Sequence, residues 1–107
     1  MSGLDNTSYT VTSTTATTYT LTANDYVLLV SPTAGNTTVN LPPVASTIPG
    51  RVYFIKRDAT ATNTVTLDGN ASETINGATT RAVGAAGTAG GAVIVSDGTA
   101  WHVLASY

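Results

Sequence analysis

The fold is decided by residues 51–57, which read Arg-Val-Tyr-Phe-Ile-Lys-Arg. An unbroken run of β-branched and aromatic residues between charged ends favours a β-strand. Similar short runs of Val, Ile, Leu, Tyr and Thr recur along the chain, separated by turn signals at intervals of about 8–12 residues. No stretch predicts a convincing helix. The pattern therefore predicts an all-β, single-domain antiparallel β-sandwich that is jelly-roll-like.

Alternation along the predicted strands indicates which side chains face the core. In residues 37–41 the apolar positions are every second residue, and the last strand places Trp101 and Val103 on one face. The run 26–30 is continuously apolar, which predicts a strand buried on both faces. Asn76 followed by Gly77 predicts a tight turn of the type I′ kind. The predicted core comprises Val39, Leu41, Val52, Phe54, Ile55, Val65, Leu67, Ile94, Trp101 and Val103.

Length and composition set the domain organisation. The chain has 107 residues, enough for one domain with a modest core. We expect residues 1–10 to form a polar N-terminal arm and residues 11–107 to form the β-sandwich domain. The arm either contacts a partner or frays, and the sequence leaves both possibilities open.

Titratable groups are too scarce to predict catalysis. Charged residues make up 9% of the chain, cysteine is absent, and His102 is the only histidine. Without a nucleophile motif or an orienting partner for His102, no catalytic residue is assigned. Asp68, Asn70 and Glu73 offer alternating oxygen ligands, but they lack the charge density of a calcium loop. We therefore assign no metal and no cofactor.

Charge and hydropathy also limit the partners. The net charge of −2 leaves no basic surface for nucleic acid. No run of about 18 apolar residues exists that could span a membrane. No basic region followed by an apolar stretch marks a secretory signal, so we expect synthesis in a cytoplasm. A surface this poor in charge favours association, most simply with copies of the same chain.

Candidate contact residues lie in the arm and at the ends of the strand 51–57. We expect Leu4, Tyr9, Arg51 and Arg57 to contact a binding partner or a neighbouring subunit. The tyrosines and Trp101 favour core or interface positions, with a sugar-stacking platform as the alternative.

From Asp25 onward the chain resembles a module of tailed-bacteriophage structural proteins. The matching segments are Thr-Val-Asn-Leu-Pro-Pro at 38–43 and Pro-Gly-Arg-Val-Tyr-Phe-Ile-Lys-Arg at 49–57, followed by Asn-Thr-Val-Thr-Leu-Asp-Gly at 63–69. Thr-Ile-Asn-Gly at 74–77 and Val-Ser-Asp-Gly-Thr-Ala-Trp-His-Val at 95–103 complete the series. Similar runs occur in phage fibre, head-fibre and capsid-decoration proteins.

The resemblance implies a virion structural protein that works as a homotrimer. The chain begins at Met1 and shows no shaft, repeat or coiled coil, so we expect a complete small gene product. That expectation favours a capsid decoration (cement) protein, which binds the major capsid protein on the outer capsid surface and stabilises the head. The alternative is a short tail-fibre or head-fibre module that recognises host-surface glycans.

Overall fold

The computed structural model describes residues 9–59 and 62–107. These ranges form an all-β fold, as predicted, with one 3₁₀ turn at Val44–Ser46 and no helix long and apolar enough to cross a membrane. The strands are β1 (Val11–Thr14), β2 (Thr18–Thr20), β3 (Val27–Val30), β4 (Thr37–Asn40), β5 (Val52–Arg57), β6 (Val65–Asp68), β7 (Thr80–Ala82), β8 (Gly90–Ser96) and β9 (Trp101–Ser106).

The strands form two sheets that share one core. The five-stranded sheet has the order β1-β3-β5-β8-β9, and the four-stranded sheet has the order β2-β4-β6-β7. From β1 to β6 the chain alternates between the sheets, so that β1 with β2, β3 with β4 and β5 with β6 form three successive coils. Adjacent coils pair in parallel in both sheets. β7, β8 and β9 then add antiparallel strands.

The prediction of a purely antiparallel sandwich is therefore wrong, because both sheets are mixed. The connectivity also differs from that of a jelly roll, whose neighbouring strands are antiparallel. The alternation of apolar and polar residues is the same in parallel and antiparallel strands, so it cannot reveal strand direction. The turn at residues 23–25 illustrates the difficulty, since it carries the chain from β2 across to the other sheet instead of closing a hairpin.

The core lies between the two sheets and contains most of the predicted residues. Val103 packs against its margin and Val52 is half-buried. The predicted core residues that are buried are Val39, Leu41, Ile55, Val65, Leu67, Ile94 and Trp101.

Phe54 is the exception among the predicted core residues, because 39% of its surface is exposed. Its neighbours Tyr53 and Ile55 both point inward, and a strand with one buried face must turn the residue between them outward. The same rule corrects the prediction for residues 26–30. Leu28 is buried, whereas Leu29 is 37% exposed.

The predicted arm is described only from Tyr9 onward, since residues 1–8 lie outside the described residues. Thr10 already belongs to the fold, because its carbonyl accepts a hydrogen bond of 3.0 Å from the Val27 N–H.

Residues 74–76 cover part of the outer edge of β9. The Trp101 N–H donates to the Thr74 carbonyl at 2.9 Å, and the Trp101 carbonyl accepts from the Asn76 N–H at 3.0 Å. The Asn76 side-chain oxygen then accepts from the Val103 N–H at 2.9 Å. Asn76 and Gly77 have φ angles of 51° and 86°, which confirms the predicted tight turn.

Trp101 provides the sharpest test of this core. The residue is fully buried, and its ring lies 5.8 Å from that of Tyr53. We expect Trp101→Ala to lower the free energy of unfolding by about 3–5 kcal/mol, because the cavity collapses only partly. Trp101→Phe should cost clearly less, since no described residue accepts a hydrogen bond from the indole Nε1. Urea unfolding followed by circular dichroism measures both variants, and equal losses would contradict the expected packing role.

Candidate binding surface

The outward side of the five-stranded sheet carries an apolar row that crosses all five strands. The strand register places Val11, Val27, Phe54, Val93 and Ala105 side by side. Residues opposite one another in neighbouring strands project from the same side of a sheet. Val11 is 60% exposed, and Phe54 is also exposed. We call these five residues the outer row.

The outward side of the four-stranded sheet has the opposite character. Its corresponding row consists of Thr18, Thr38, Thr66 and Ala82. Threonine hydroxyls are readily solvated, whereas a contiguous apolar patch on a small domain marks a contact site. The two outer sides of the molecule are therefore chemically distinct, and only the five-stranded side has the character of a docking surface.

A shallow hollow of ≈ 280 Å³ adjoins the outer row. Leu29, Phe54, Val93 and Tyr107 contribute apolar walls, and Lys56 adds a charge. The Tyr107 ring occupies the space above Gly91, since a Cβ atom there would lie 2.7 Å from the ring. Because Gly91 has no side chain, the Tyr107 ring can lie close to the β8 backbone and extend the apolar surface.

Aromatic rings extend the same surface beyond β3. Tyr9 stacks on Tyr26 with ring centroids 4.1 Å apart, and Tyr26 lies 5.4 Å from Phe54. The Arg51 guanidinium lies 4.0 Å from the centre of the Tyr53 ring and 5.8 Å from that of Tyr26. Such distances fit cation–π contacts, which hold the arginine beside the aromatic rings.

Arg51 also fixes the turn that precedes β3. Its Nη1 donates to the Val52 carbonyl at 2.8 Å, and its Nη2 donates to the carbonyls of Ala23, at 3.2 Å, and Asp25. These bonds to backbone oxygens orient the planar guanidinium, so Arg51 is held in place before any partner arrives.

The buried carboxylate of Asp25 joins the first coil to the start of β3. It accepts hydrogen bonds from the Thr12 hydroxyl at 2.8 Å, the Tyr19 hydroxyl at 3.0 Å, and the Thr22 N–H at 2.8 Å. The Thr22 hydroxyl also donates to it, at 3.1 Å. Burial raises the pKa of Asp25, but these donors outweigh burial and hold the pKa below its ordinary value of 3.8.

The structure separates the four predicted contact residues. Tyr9 is 62% exposed and stacks on the Tyr26 ring, and the Arg51 guanidinium lies 5.8 Å from the centre of that same ring. Leu4 lies outside the described residues. Arg57 is fully buried, and its Nε donates to the Thr88 carbonyl at 2.8 Å. The prediction of Arg57 as a contact residue is therefore wrong, because the inward alternation of β5 continues to its last residue.

Several surface residues were missed by the sequence patterns. Val11, Leu29, Leu104 and Tyr107 are all exposed on or beside the five-stranded sheet. Individually they look like ordinary strand residues, and only the register shows that apolar residues align across strands. The one usable signal was Leu29, the outward position in a run that cannot be buried on both sides of a two-sheet fold.

The titratable pair Asp97 and His102 stabilises an exposed turn. Asp97 accepts the N–H groups of Ala100 at 2.8 Å and Thr99 at 2.7 Å, and its other oxygen lies 2.7 Å from His102 Nε2. The Ala100 N–H, followed by His102 and the Thr99 N–H, lowers the pKa of Asp97 to about 2. The local geometry is that of an Asx turn with a histidine partner.

Within residues 9–59 and 62–107, no three His, Cys, Asp or Glu side chains cluster closely enough to hold a metal ion. No protein-family model and no curated protein matches the chain. The outer row and its aromatic extension are thus the features from which a function can be inferred.

Replacing the Asp25 carboxylate tests whether its hydrogen bonds stabilise the first coil. We expect Asp25→Asn to lower the free energy of unfolding at neutral pH by about 1–3 kcal/mol, because one of the two acceptor oxygens is replaced by an NH2 group that faces other donors. Since the folded-state pKa lies below the unfolded one, this stabilisation is present above the ordinary value of 3.8 and is lost as pH falls through the folded pKa. The wild-type and variant stabilities should therefore converge in acid.

Chemical denaturation across the acid range measures this convergence. Asp68→Asn is the matched control, since it makes the same change at a half-buried aspartate of β6 that takes no part in the hydrogen bonds of the first coil. A stability difference for Asp25→Asn that stays constant with pH would contradict the role given to the carboxylate.

Proposed function

We propose that this chain is a non-enzymatic virion structural protein, a capsid decoration protein that binds the major capsid protein on the outer surface of a phage head. The observation that carries the proposal is the contrast between the apolar outer row and the threonine row on the opposite side. A protein that coats another surface needs one side that binds and one that remains solvated.

The composition of the surface fits a protein partner. Interface cores are enriched in aromatic residues and arginine and depleted of other charges. Phe54, Tyr26 and Tyr9 provide the rings, and the Arg51 guanidinium lies 5.8 Å from the centre of the Tyr26 ring. The backbone beneath them is hydrogen-bonded within the sheet, so little conformational entropy is lost on docking.

The mechanism would be thermodynamic. A decoration protein that binds only the assembled shell stabilises it by mass action, and many copies add their contributions. Most of the docking surface is apolar, so binding should depend weakly on salt. The proposed location is the outer capsid surface, after synthesis in the host cytoplasm.

Glycan recognition by a short tail-fibre or head-fibre module is the second candidate. It is favoured by one observation, the exposed ring of Tyr9 stacked on Tyr26, because aromatic rings can pack against sugar faces. Such a site would depend on Tyr9 and not on Phe54. The resemblance also implies a trimer. The oligomeric state is independent of the glycan site, and a measurement of the mass in solution determines it.

Phe54→Lys is the test of the proposed docking side. It places a charge at the centre of the outer row and should weaken binding to phage heads roughly tenfold or more. The matched control is Thr66→Lys, which makes the same change on the other outer side. Co-sedimentation with purified heads, under low and high salt, measures the bound fraction of each variant.

Immunogold labelling of intact phage particles shows whether the protein lies on the head or on the tail. Label spread over the head, with binding lost only for Phe54→Lys, would support decoration. Label confined to the tail, with binding to host cells abolished by Tyr9→Ala, would replace it with glycan recognition. Equal binding by both lysine variants would exclude the outer row as the docking site.

A further inference from the structure

Both sheets end at the same coil. β1 is the edge of the five-stranded sheet and β2 is the edge of the four-stranded sheet, and the two strands are consecutive in the chain. Within the described ranges, no strand pairs with the outer side of either one. Neither strand contains a charged residue or a proline. Natural edge strands commonly use such residues to prevent pairing with other chains.

The hydrogen bonds identify the backbone groups that face this open edge. The Thr10 and Thr14 carbonyls accept from β3 and the residue after it, so even-numbered residues bond inward. In a parallel ladder, alternate residues bond to opposite sides. The N–H and carbonyl groups of Val11 and Ser13 therefore point away from the sheet, toward the open edge.

The same reasoning applies to β2. The Thr17 carbonyl accepts from the Thr38 N–H at 2.9 Å, and the Leu21 N–H donates to the Asn40 carbonyl at 3.0 Å. Odd-numbered residues bond inward here, so the backbone groups of Thr18 and Thr20 face outward. The first coil thus presents two rows of backbone donors and acceptors at one end of the molecule.

The opposite end does not match this one. Residues 74–76 already form backbone hydrogen bonds with Trp101, and the Asn76 side-chain oxygen accepts a hydrogen bond from the Val103 N–H. The register between β8 and β9 is then interrupted by a bulge that leaves Leu104 unpaired. Bulges and covered edges block the addition of a strand. Head-to-tail stacking through the five-stranded sheet therefore lacks an acceptor edge at β9. At the far edge of the four-stranded sheet, β7 is only three residues long and contains Arg81, which disfavours strand addition there. Head-to-head pairing needs neither of these edges.

We propose that two copies of this chain pair head to head through β1 and β2, each strand lying antiparallel to its counterpart in the second copy. Val11 would pair with Ser13 of the second copy, and Thr18 with Thr20 of the second copy. Thr12 and Tyr19 then lie at the centres of the two pairings. An isologous contact of this kind closes after two subunits.

One two-fold axis can serve both strand pairs. The hydroxyls of Thr12 and Tyr19 both bond to Oδ1 of Asp25, at 2.8 and 3.0 Å. The two centres therefore lie opposite each other across the molecule, one in each sheet. A single axis perpendicular to the sheets passes near both of them, as a symmetric dimer requires.

This arrangement deepens the proposed function, although the dimer itself does not depend on it. Because the axis is perpendicular to the sheets, the outer rows of both copies face the same way. Five strands from each copy join into one sheet of ten. If the outer row binds a capsid, the dimer offers it two equivalent sites, and the second contact benefits from a high effective concentration.

The first experiment measures mass by size-exclusion chromatography with light scattering. The wild-type chain should have twice the 10.8 kDa chain mass. Ser13→Pro should yield the monomer with an unchanged circular dichroism spectrum, because the lost N–H faces the open edge and bonds nothing within the sheet. Ser13→Ala is the matched control, since it keeps the N–H and should remain dimeric.

Hydrogen exchange on the wild-type chain provides a readout that does not depend on a variant folding. The amides of Ser13 and Thr18 should be protected at high concentration and lose protection on dilution, while those of Thr12 and Tyr19 stay protected. A monomeric or trimeric mass, a dimer that survives Ser13→Pro, or protection independent of concentration would each overturn the proposal. Phe54→Lys should remain dimeric, so failure of capsid docking is distinguishable from failure of dimerisation.

Discussion

The two-residue period of a β-strand is the constraint on which this molecule depends. Two stacked sheets bury one side of each strand, so every inward residue commits its neighbours to the outside. Tyr53 and Ile55 fill the core, and Phe54 must therefore be displayed between them. The register transmits this alternation from β1 to β9, and one apolar row results. The outer row is thus a consequence of how the core is filled, combined with the presence of apolar residues at outward positions.

The first coil is stabilised differently from the other two. Its strands contribute no fully buried side chain among the described residues, and Tyr19 is only partly buried. Hydrogen bonds to the Asp25 carboxylate replace the missing apolar contacts, and they connect both strands of the coil to the turn before β3. These hydrogen bonds lie on the inner side of the coil, so they do not use the backbone groups of β1 and β2 that face the open edge.

Sequence patterns predicted the all-β class and most of the core because both depend on local alternation. Val39, Leu41, Val65 and Leu67 illustrate this, since each lies in an unambiguous alternating run and each is buried. Strand direction and register depend on contacts between distant residues, and no local pattern encodes them. The exposure of Phe54 and the burial of Arg57 follow from the phase of β5, which the continuous apolar run from Val52 to Ile55 left undetermined.

The scarcity of charged residues has a physical consequence for both the outer row and the open edge formed by β1 and β2. Charged residues on outward positions or edge strands would protect the chain from association, but they would also prevent it from docking. The far end of the molecule carries protective features, namely a bulge and a covered edge at β9 and an arginine in the short strand β7, whereas β1, β2 and the outer row do not. Features that prevent association with other chains are thus present at the far end of the molecule and absent from β1, β2 and the outer row. The unprotected edge and the unprotected side meet at Val11, whose side chain belongs to the outer row and whose backbone faces the open edge. The proposed contact between copies and the proposed contact with a capsid therefore share this residue.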